Sequence, residues 1–414
     1  MAILGLIFFI SLVSGSYPAL FLTSFKPVNI LKDKVSFHSK NTSFFRNNLV
    51  FFQFAISIVL TVCVLTMSRQ MNLIEKKNLG YSKDNIVAIE VKDETILKNY
   101  EPLKNEIIQY PGIIDVTSSR DLPTSIGSGS NPFWEGQPEG QSIPFKRLYV
   151  DYTFLEFYRI EIVKGRNFMR ESGRDADQGF IINETAAHLM GMEEPVGKRF
   201  KFANKEGFII GIVKDFHFES FHNAIQPLAI EINPGGHRYI SIMIDPDDTV
   251  NTLAFIKKKW GKFSPGFPFS YTFVEDIIHE QYVYEQKLFT AIKASTILAL
   301  FLSCIGLGGL ASLSARSKTK EIGIRKVFGA SVTDMTTLFS KQFIKVVMIS
   351  CFIAWPVAYY FMNKWLQNFA YRVHLSIWIF LLSGFAALVI ALLTVSYQTI
   401  RAATANPVDS LRYE

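Results

Sequence analysis

Residues 292–313 read IKASTILALFLSCIGLGGLASL, with Lys293 as the single charge. An α-helix needs about 20 apolar residues to cross a hydrocarbon core, and this run supplies them. Four more runs share its character, near 3–22, 48–67, 342–362 and 376–398. Composition agrees, with 49 % hydrophobic residues and 37 Phe among 414. The first run is no signal peptide: no Lys or Arg precedes Lys26, and no small-residue cleavage site follows. These features predict an α-helical membrane protein with about five transmembrane helices.

Charge then divides the chain. Between Arg69 and Lys287, 26 Lys and Arg meet 31 Asp and Glu, although the whole carries +7. The basic excess sits in two short loops, at Lys26, Lys32, Lys34, Lys40 and Arg46, and at Arg316, Lys318, Lys320, Arg325 and Lys326. Short loops of this kind stay cytoplasmic. Basic residues hugging membrane spans need no nucleic acid as partner; membrane lipids satisfy them. With both loops inside, residues 68–287 fall outside, as a large extracytoplasmic domain. The predicted order is a first helix over 1–25, a cytoplasmic linker over 26–47, a helix over 48–67, the outer domain, three helices within 288–400, and a cytoplasmic tail over 401–414. Cys63, Cys304 and Cys351 all fall in or beside spans, so the outer domain folds without disulfides and relies on its core.

A repeat at an offset of 380 residues links the two ends. Ser16-Tyr17, Pro27-Val28 and Leu31-Lys32 recur as Ser396-Tyr397, Pro407-Val408 and Leu411-Arg412. Each copy follows an apolar run, as the tail of a duplicated module would. Residues 1–25 are thus expected to close a preceding unit of a longer chain.

Within 68–287, strand-like runs at Ile86–Val91, Phe180–Ile182, Phe208–Val213, Leu228–Ile232, Tyr239–Ile244 and Phe269–Val274 alternate with helical Glu184–Met190 and Thr249–Lys262. An α+β domain in two lobes follows, with a flexible loop at Thr124–Asn131. Met67–Asn78 and Asp276–Lys293 carry charges between apolar residues and read as helical stalks joining domain to spans. Two apparent sites fail on spacing. Gly191–Lys198 is a residue too long for a phosphate loop and continues with Arg199 instead of Ser or Thr. His217 and His222 stand five apart, about 140° round a helix, so they cannot share a zinc as a helical protease pair does. No catalytic, cofactor or metal residues are expected.

Mechanism is expected in Arg316–Ser331. Lys318–Phe328 reads as a short helix with Glu321 and Arg325 paired at i,i+4, and Gly329 stops it. Ser331 and Asp334 then make a capping-box-like start for the next helix. Such a rod suits a groove on another protein, or equally an interfacial position against anionic lipids. Gly306, Gly308 and Gly309 allow close helix approach, and Pro356 bends its span; packing or a pivot would use either.

The run Lys320-Glu321-Ile322-Gly323-Ile324-Arg325-Lys326-Val327-Phe328-Gly329-Ala330 resembles the signature loop of FtsX-like/MacB-like ABC transporter permeases. Phe51-Phe52-Gln53-Phe54 resembles the opening of that family's first helix. Ile182–Ala187, Glu194–Phe200 and Gly211–His217 resemble its periplasmic core domain, and Asn406–Arg412 its C-terminus. The resemblance implies that Lys320–Ala330 is a coupling helix against a separate cytoplasmic ATPase, which alone binds ATP. It further implies a bacterial inner-membrane location, a second permease unit (an upstream half or a dimer), and a periplasmic or outer-membrane partner. Work is then done outside by mechanotransmission, serving peptide or drug export, lipoprotein release or control of cell-wall hydrolases. The lack of ionisable residues deep in the spans fits; Lys293, Lys341 and Lys345 lie towards span ends and snorkel. Two rival readings are a membrane-anchored sensor or scaffold without ATPase coupling, and a membrane enzyme using the outer domain.

Overall fold

The computed structural model describes residues 40–317 and 331–403 apart from 139 and 141, together with Gly5, Phe8 and Phe328. The expected first span, most of the linker, the short helix except Phe328, and the tail beyond Ala403 lie outside the described residues. Helices of seven residues or more are α1 (Lys40–Lys76), α2 (Tyr100–Ile107), α3 (Glu184–Met190), α4 (Thr249–Phe263), α5 (Val274–Glu280), α6 (Val283–Ser317), α7 (Val332–Leu366) and α8 (Ile377–Ala403). Among the described residues, α1, α6, α7 and α8 are long and apolar enough to cross a membrane. The chain forms two compact units. One holds Met1–Ile58, Leu298–Ala354 and Gly384–Glu414; the other holds Val59–Ile297 and Trp355–Ser383.

The first unit is a bundle of helix segments joined by small polar groups. Ser57 and Ser303 share a hydroxyl–hydroxyl bond of 3.0 Å, and Ser350 Oγ donates to Phe51 O at 3.1 Å. In an apolar setting such bonds join helices that have no hydrophobic drive to associate. At the start of α7 the capping box forms as expected. Ser331 Oγ accepts from Asp334 N at 3.1 Å, and Asp334 Oδ2 accepts from Ser331 N at 3.1 Å. The Ser331 hydroxyl also donates to Asp334 Oδ2 at 2.6 Å, and that bond, then the one from Ser331 N, holds the exposed Asp334 carboxyl below its usual range.

The strands of the second unit are β1 (Ile86–Glu90), β2 (Ile113–Ser119), β3 (Gly129–Ser130), β4 (Pro132–Trp134), β5 (Phe145–Val150), β6 (Ile162–Gly165), β7 (Gly179–Asn183), β8 (Arg199–Phe202), β9 (Lys205–Val213), β10 (Leu228–Ile232), β11 (Tyr239–Ile244) and β12 (Thr272–Phe273). Among the described residues they form one twelve-stranded sheet in the order β12-β1-β11-β2-β5-β10-β7-β9-β8-β4, with β3 on β5 and β6 on β9. Two lobes meet where β2 touches β5, through the single pair Ser119–Val150. Each lobe has a core. Val87, Ile89, Ile242, Ile256 and Trp260 fill one; Trp134, Phe145, Phe180, Phe200 and Phe202 fill the other. A third core takes Ala88 from the first lobe, Leu148 and Ile181 from the second, and Met71 and Ile74 from α1.

Asp151, just after β5, adds side-chain bonds between the lobes to this strand pair and the shared core. It is 7 % exposed and accepts from Tyr100 OH at 2.7 Å, Ser118 N at 3.2 Å, Thr153 N at 3.1 Å and the Thr117 hydroxyl, with Lys104 Nζ 3.6 Å away. A buried carboxylate so satisfied is rigid, and leaving its donors unmatched is costly.

Most expected elements recur within a residue or two, including α3, which Gly191 stops at φ +66. Three expectations need correction. Phe269–Val274 pairs only over Thr272–Phe273, because Phe269 packs on Trp260 and Val274 already opens α5. The second stalk is not continuous: α5 ends at Glu280, and buried Tyr282 stands in the break before α6. The loop Thr124–Asn131 is pinned, since Gly129 and Ser130 pair with Lys146 and Phe145.

Replacing Asp151 with Ala is expected to destabilise the domain by about 3 kcal/mol, from the orphaned donors and the uncompensated Lys104. Thermal unfolding of the purified chain and faster amide exchange in β2 and β5 would show it; exposed Glu135→Gln should change neither.

Candidate functional site

All members of the site belong to the second unit, where α1 ends, α6 begins, and the turn between α7 and α8 meets the 216–222 segment after β9. Gly80 lets the chain leave α1. Its φ is +85, and a Cβ there would stand 2.8 Å from Phe216 Cβ, so only glycine passes so close. Leu79 O then accepts from His217 N at 2.8 Å.

Gln70 sits near the end of α1 with no exposed surface. Its Nε2 donates to Tyr371 O at 2.9 Å, and its Oε1 accepts from Val373 N at 2.9 Å. One amide thus satisfies two backbone groups of the α7–α8 turn. The same turn is bonded to the domain, where Ala370 N donates to Phe221 O at 3.0 Å. Rings fill the remaining space. Tyr371 lies edge-on to His217 at 4.6 Å, and Lys77 Nζ stands 3.4 Å from the centre of the Tyr371 ring. A cation over a tyrosine face is attracted by the ring quadrupole.

The start of α6 is held from the same segment. Phe221 N donates to Tyr282 OH at 2.8 Å. His222 stacks on Phe369 at 4.3 Å, bonds Ser220 Oγ through Nδ1 at 2.7 Å, and places Nε2 3.3 Å from Glu285 Oε1. Hydroxyl, imidazole and carboxylate thus line up as in a hydrolytic triad. Yet the imidazole lies near-parallel to both the Phe369 and Tyr282 rings, and its two nitrogens tie the segment to itself and to α6. It acts as a strut.

Electrostatics keep the joint uncharged at His217. Burial, then the Lys77 ammonium, push its imidazole down to about 4, against a weaker opposite pull from Asp215. Burial also lowers Lys77. At neutral pH His217 therefore adds no charge beside the Lys77 ammonium.

Lys320, Glu321, Ile322, Gly323, Ile324, Arg325, Lys326, Val327, Gly329 and Ala330 lie outside the described residues, and Phe328 is 87 % exposed. In the first unit a Cβ on Gly306 would overlap Gln53 Oε1. One on Gly308 would meet Gln398 and Thr394 at ordinary contact, and one on Gly309 would meet nothing within 4 Å. Pro356 lies inside α7, which continues through it.

Comparison with known proteins gives two family matches. Residues 54–257 match the MacB-like periplasmic core domain, and residues 294–407 match the FtsX-like permease C-terminal domain. The chain belongs to the FtsX/MacB type of ABC transporter permease. A macrolide export ATP-binding/permease protein MacB from Bdellovibrio bacteriovorus is 24 % identical over 350 residues, covering 79 % of this chain and 50 % of that one. An uncharacterised ABC transporter permease of Methanocaldococcus jannaschii is 23 % identical over 204 residues, covering 45 % and 51 %. This permease therefore spans about half the length of those relatives. The periplasmic region of MacB from Actinobacillus actinomycetemcomitans is 14 % identical with a TM-score of 0.36, covering 51 % of this chain and 98 % of that one. Membership makes the chain a multi-pass membrane protein with residues of the sheet domain outside the cytoplasm.

In this permease the junction is the part that sequence reading missed. Its signal was the aromatic density of Phe216-His217-Phe218-Glu219-Ser220-Phe221-His222, which a search for metal spacing passed over. Its partners stand far away in the chain, at 70, 282 and 371.

Gln70→Leu should orphan the Tyr371 carbonyl and the Val373 amide at a cost of about 3 kcal/mol, and Val373 amide exchange should rise while Ala370 stays protected. The His217 pKa lies below its unfolded value of 6.5, so the unfolded state binds more protons between the two. Stability is then full above about 6.5 and falls as pH drops towards 4, by on the order of 3 kcal/mol. His217→Gln should flatten that slope in thermal unfolding from pH 7 to pH 4.

Proposed function

We propose that this permease couples ATP binding and hydrolysis on a separate cytoplasmic ATPase to movement of its extracytoplasmic domain, in a bacterial inner membrane. The junction supports this most directly. The start of α6 and the turn joining two other membrane-capable helices are bonded to one segment of the domain, through Tyr282, Glu285 and Ala370, and Gln70 of α1 is bonded to that same turn. Displacement of those helix ends is borne by packed rings and backbone hydrogen bonds, so the domain follows. Packed interiors transmit displacement because they cannot deform continuously.

The proposed input is Lys320–Ala330, which resembles the signature loop of this family. Relatives named as ATP-binding/permease proteins support the involvement of an ATPase, which we place on a partner. A second permease unit, from an upstream half or a second copy, completes the transporter. Output at the domain is mechanical and serves an exported or extracytoplasmic client with a periplasmic or outer-membrane partner.

Reversing Arg325 and Lys326 to Glu is expected to abolish co-purification of the ATPase and to return its hydrolysis to the unstimulated rate, with the permease still inserted. Retained complex and stimulation would overturn the assignment.

A further inference from the structure

A cleft of about 380 Å³ opens on the first lobe between the ends of β1 and β11 and the loop 121–127. That volume falls within the roughly 300–1,000 Å³ of small-molecule sites. Glu90, Asp121, Thr124, Tyr239, Tyr271 and Thr272 line it. Two tyrosines supply flat apolar faces, while the others supply carboxylates and hydroxyls. Tyr271 is 40 % exposed.

The charges here are already balanced. Glu90 pairs with Arg238 at 3.0 Å, and Arg120 Nε is 4.0 Å from Asp121 Oδ2. Burial nonetheless raises the Asp121 carboxyl, with Arg120 and Arg238 opposing. An ammonium ligand would have to displace or repel these guanidinium groups, so a neutral ligand fits better. Thr124 gives the second indication. It lines the cleft although only 2 % exposed, and its Oγ1 is buried without a hydrogen-bond partner. A hydroxyl in that state costs stability. A ligand rich in both donors and acceptors satisfies it once the Thr124 side chain turns into the cleft.

We propose that this cleft binds a neutral saccharide, one ring or two, with a sugar face on Tyr271 or Tyr239 and its hydroxyls on Asp121, Glu90 and Thr124. Saccharides combine an apolar C–H face with paired hydroxyls, which is the chemistry these walls present. The cleft also reaches the mechanical path. Thr124 O accepts from Gln281 Nε2 at 2.9 Å, and Gln281 occupies the break between α5 and α6. Ile277 of α5 forms part of the same wall. Sugar occupancy therefore bears on the helix that leads into the membrane. The site stands without the ATPase assignment, since it uses only residues of the outer domain.

The test uses the full chain in nanodiscs, with glucose, N-acetylglucosamine and maltose as probes in saturation-transfer NMR. Transfer to at least one sugar is expected. Tyr271→Ala and Asp121→Asn should each weaken it tenfold or more while the unfolding temperature holds. Thr124→Val should weaken sugar binding and raise the unfolding temperature of the sugar-free protein, because it removes an unsatisfied hydroxyl. No transfer to any of the three sugars overturns the proposal. So does transfer that survives all three substitutions, which would place the sugar elsewhere. A Thr124→Val protein that is less stable and binds no worse would show that ordered water already serves the hydroxyl, and would also overturn it.

Discussion

Gln70 stands near the end of a 37-residue helix whose apolar side chains leave its amide few partners. Both ends of that amide bond to the backbone of residues 371–373, and both bonds are 2.9 Å. A turn between two other helices is thereby held against the first. Because that turn also bonds Phe221, the sheet domain is attached to three helix ends at one place. The aromatic packing of His217, Phe221, Phe369 and Tyr371 depends on this attachment and excludes water from it.

The consequence is mechanical. A domain joined to membrane helices by flexible linkers would not feel their motion. Here the connection after α1, residues 77–85, is held against Phe216 at Gly80, and the chain enters α6 through a two-residue break closed by Tyr282. The core that receives Met71 and Ile74 of α1 also receives Ile181 and Leu148 of the sheet. Helix and sheet side chains pack directly on one another in that core. Asp151 bonds one lobe to the other through Tyr100, Thr117 and Ser118.

Much of this was legible in the sequence, for definite physical reasons. Apolar runs of membrane length allow one reading, and α1, α6, α7 and α8 follow them. Strands such as β10 and β11 carry Ile at alternate positions, and the apolar runs read from sequence match them to the residue. β2 was missed because Asp115, Thr117, Ser118 and Ser119 make it polar; its hydroxyls serve Asp151 and its neighbours and not solvent. The junction was illegible for a different cause. Its contacts join residues about 300 apart, and a lone Gln in an apolar helix says nothing about which backbone it will meet. His217 and His222 drew attention as metal ligands because sequence spacing displays histidine pairs and hides ring contacts.

The most direct test of the central claim is a distance measurement across the junction. Spin labels at Glu75, on the exposed side of α1, and at Glu101, on the exposed side of α2, would be placed in a cysteine-free permease assembled with its ATPase. The account predicts the same mean distance and the same narrow width in nucleotide-free and ATP-bound states, because helix end and domain move as one body. A shift of the mean on ATP binding, or a distribution that broadens into several distances, would contradict it.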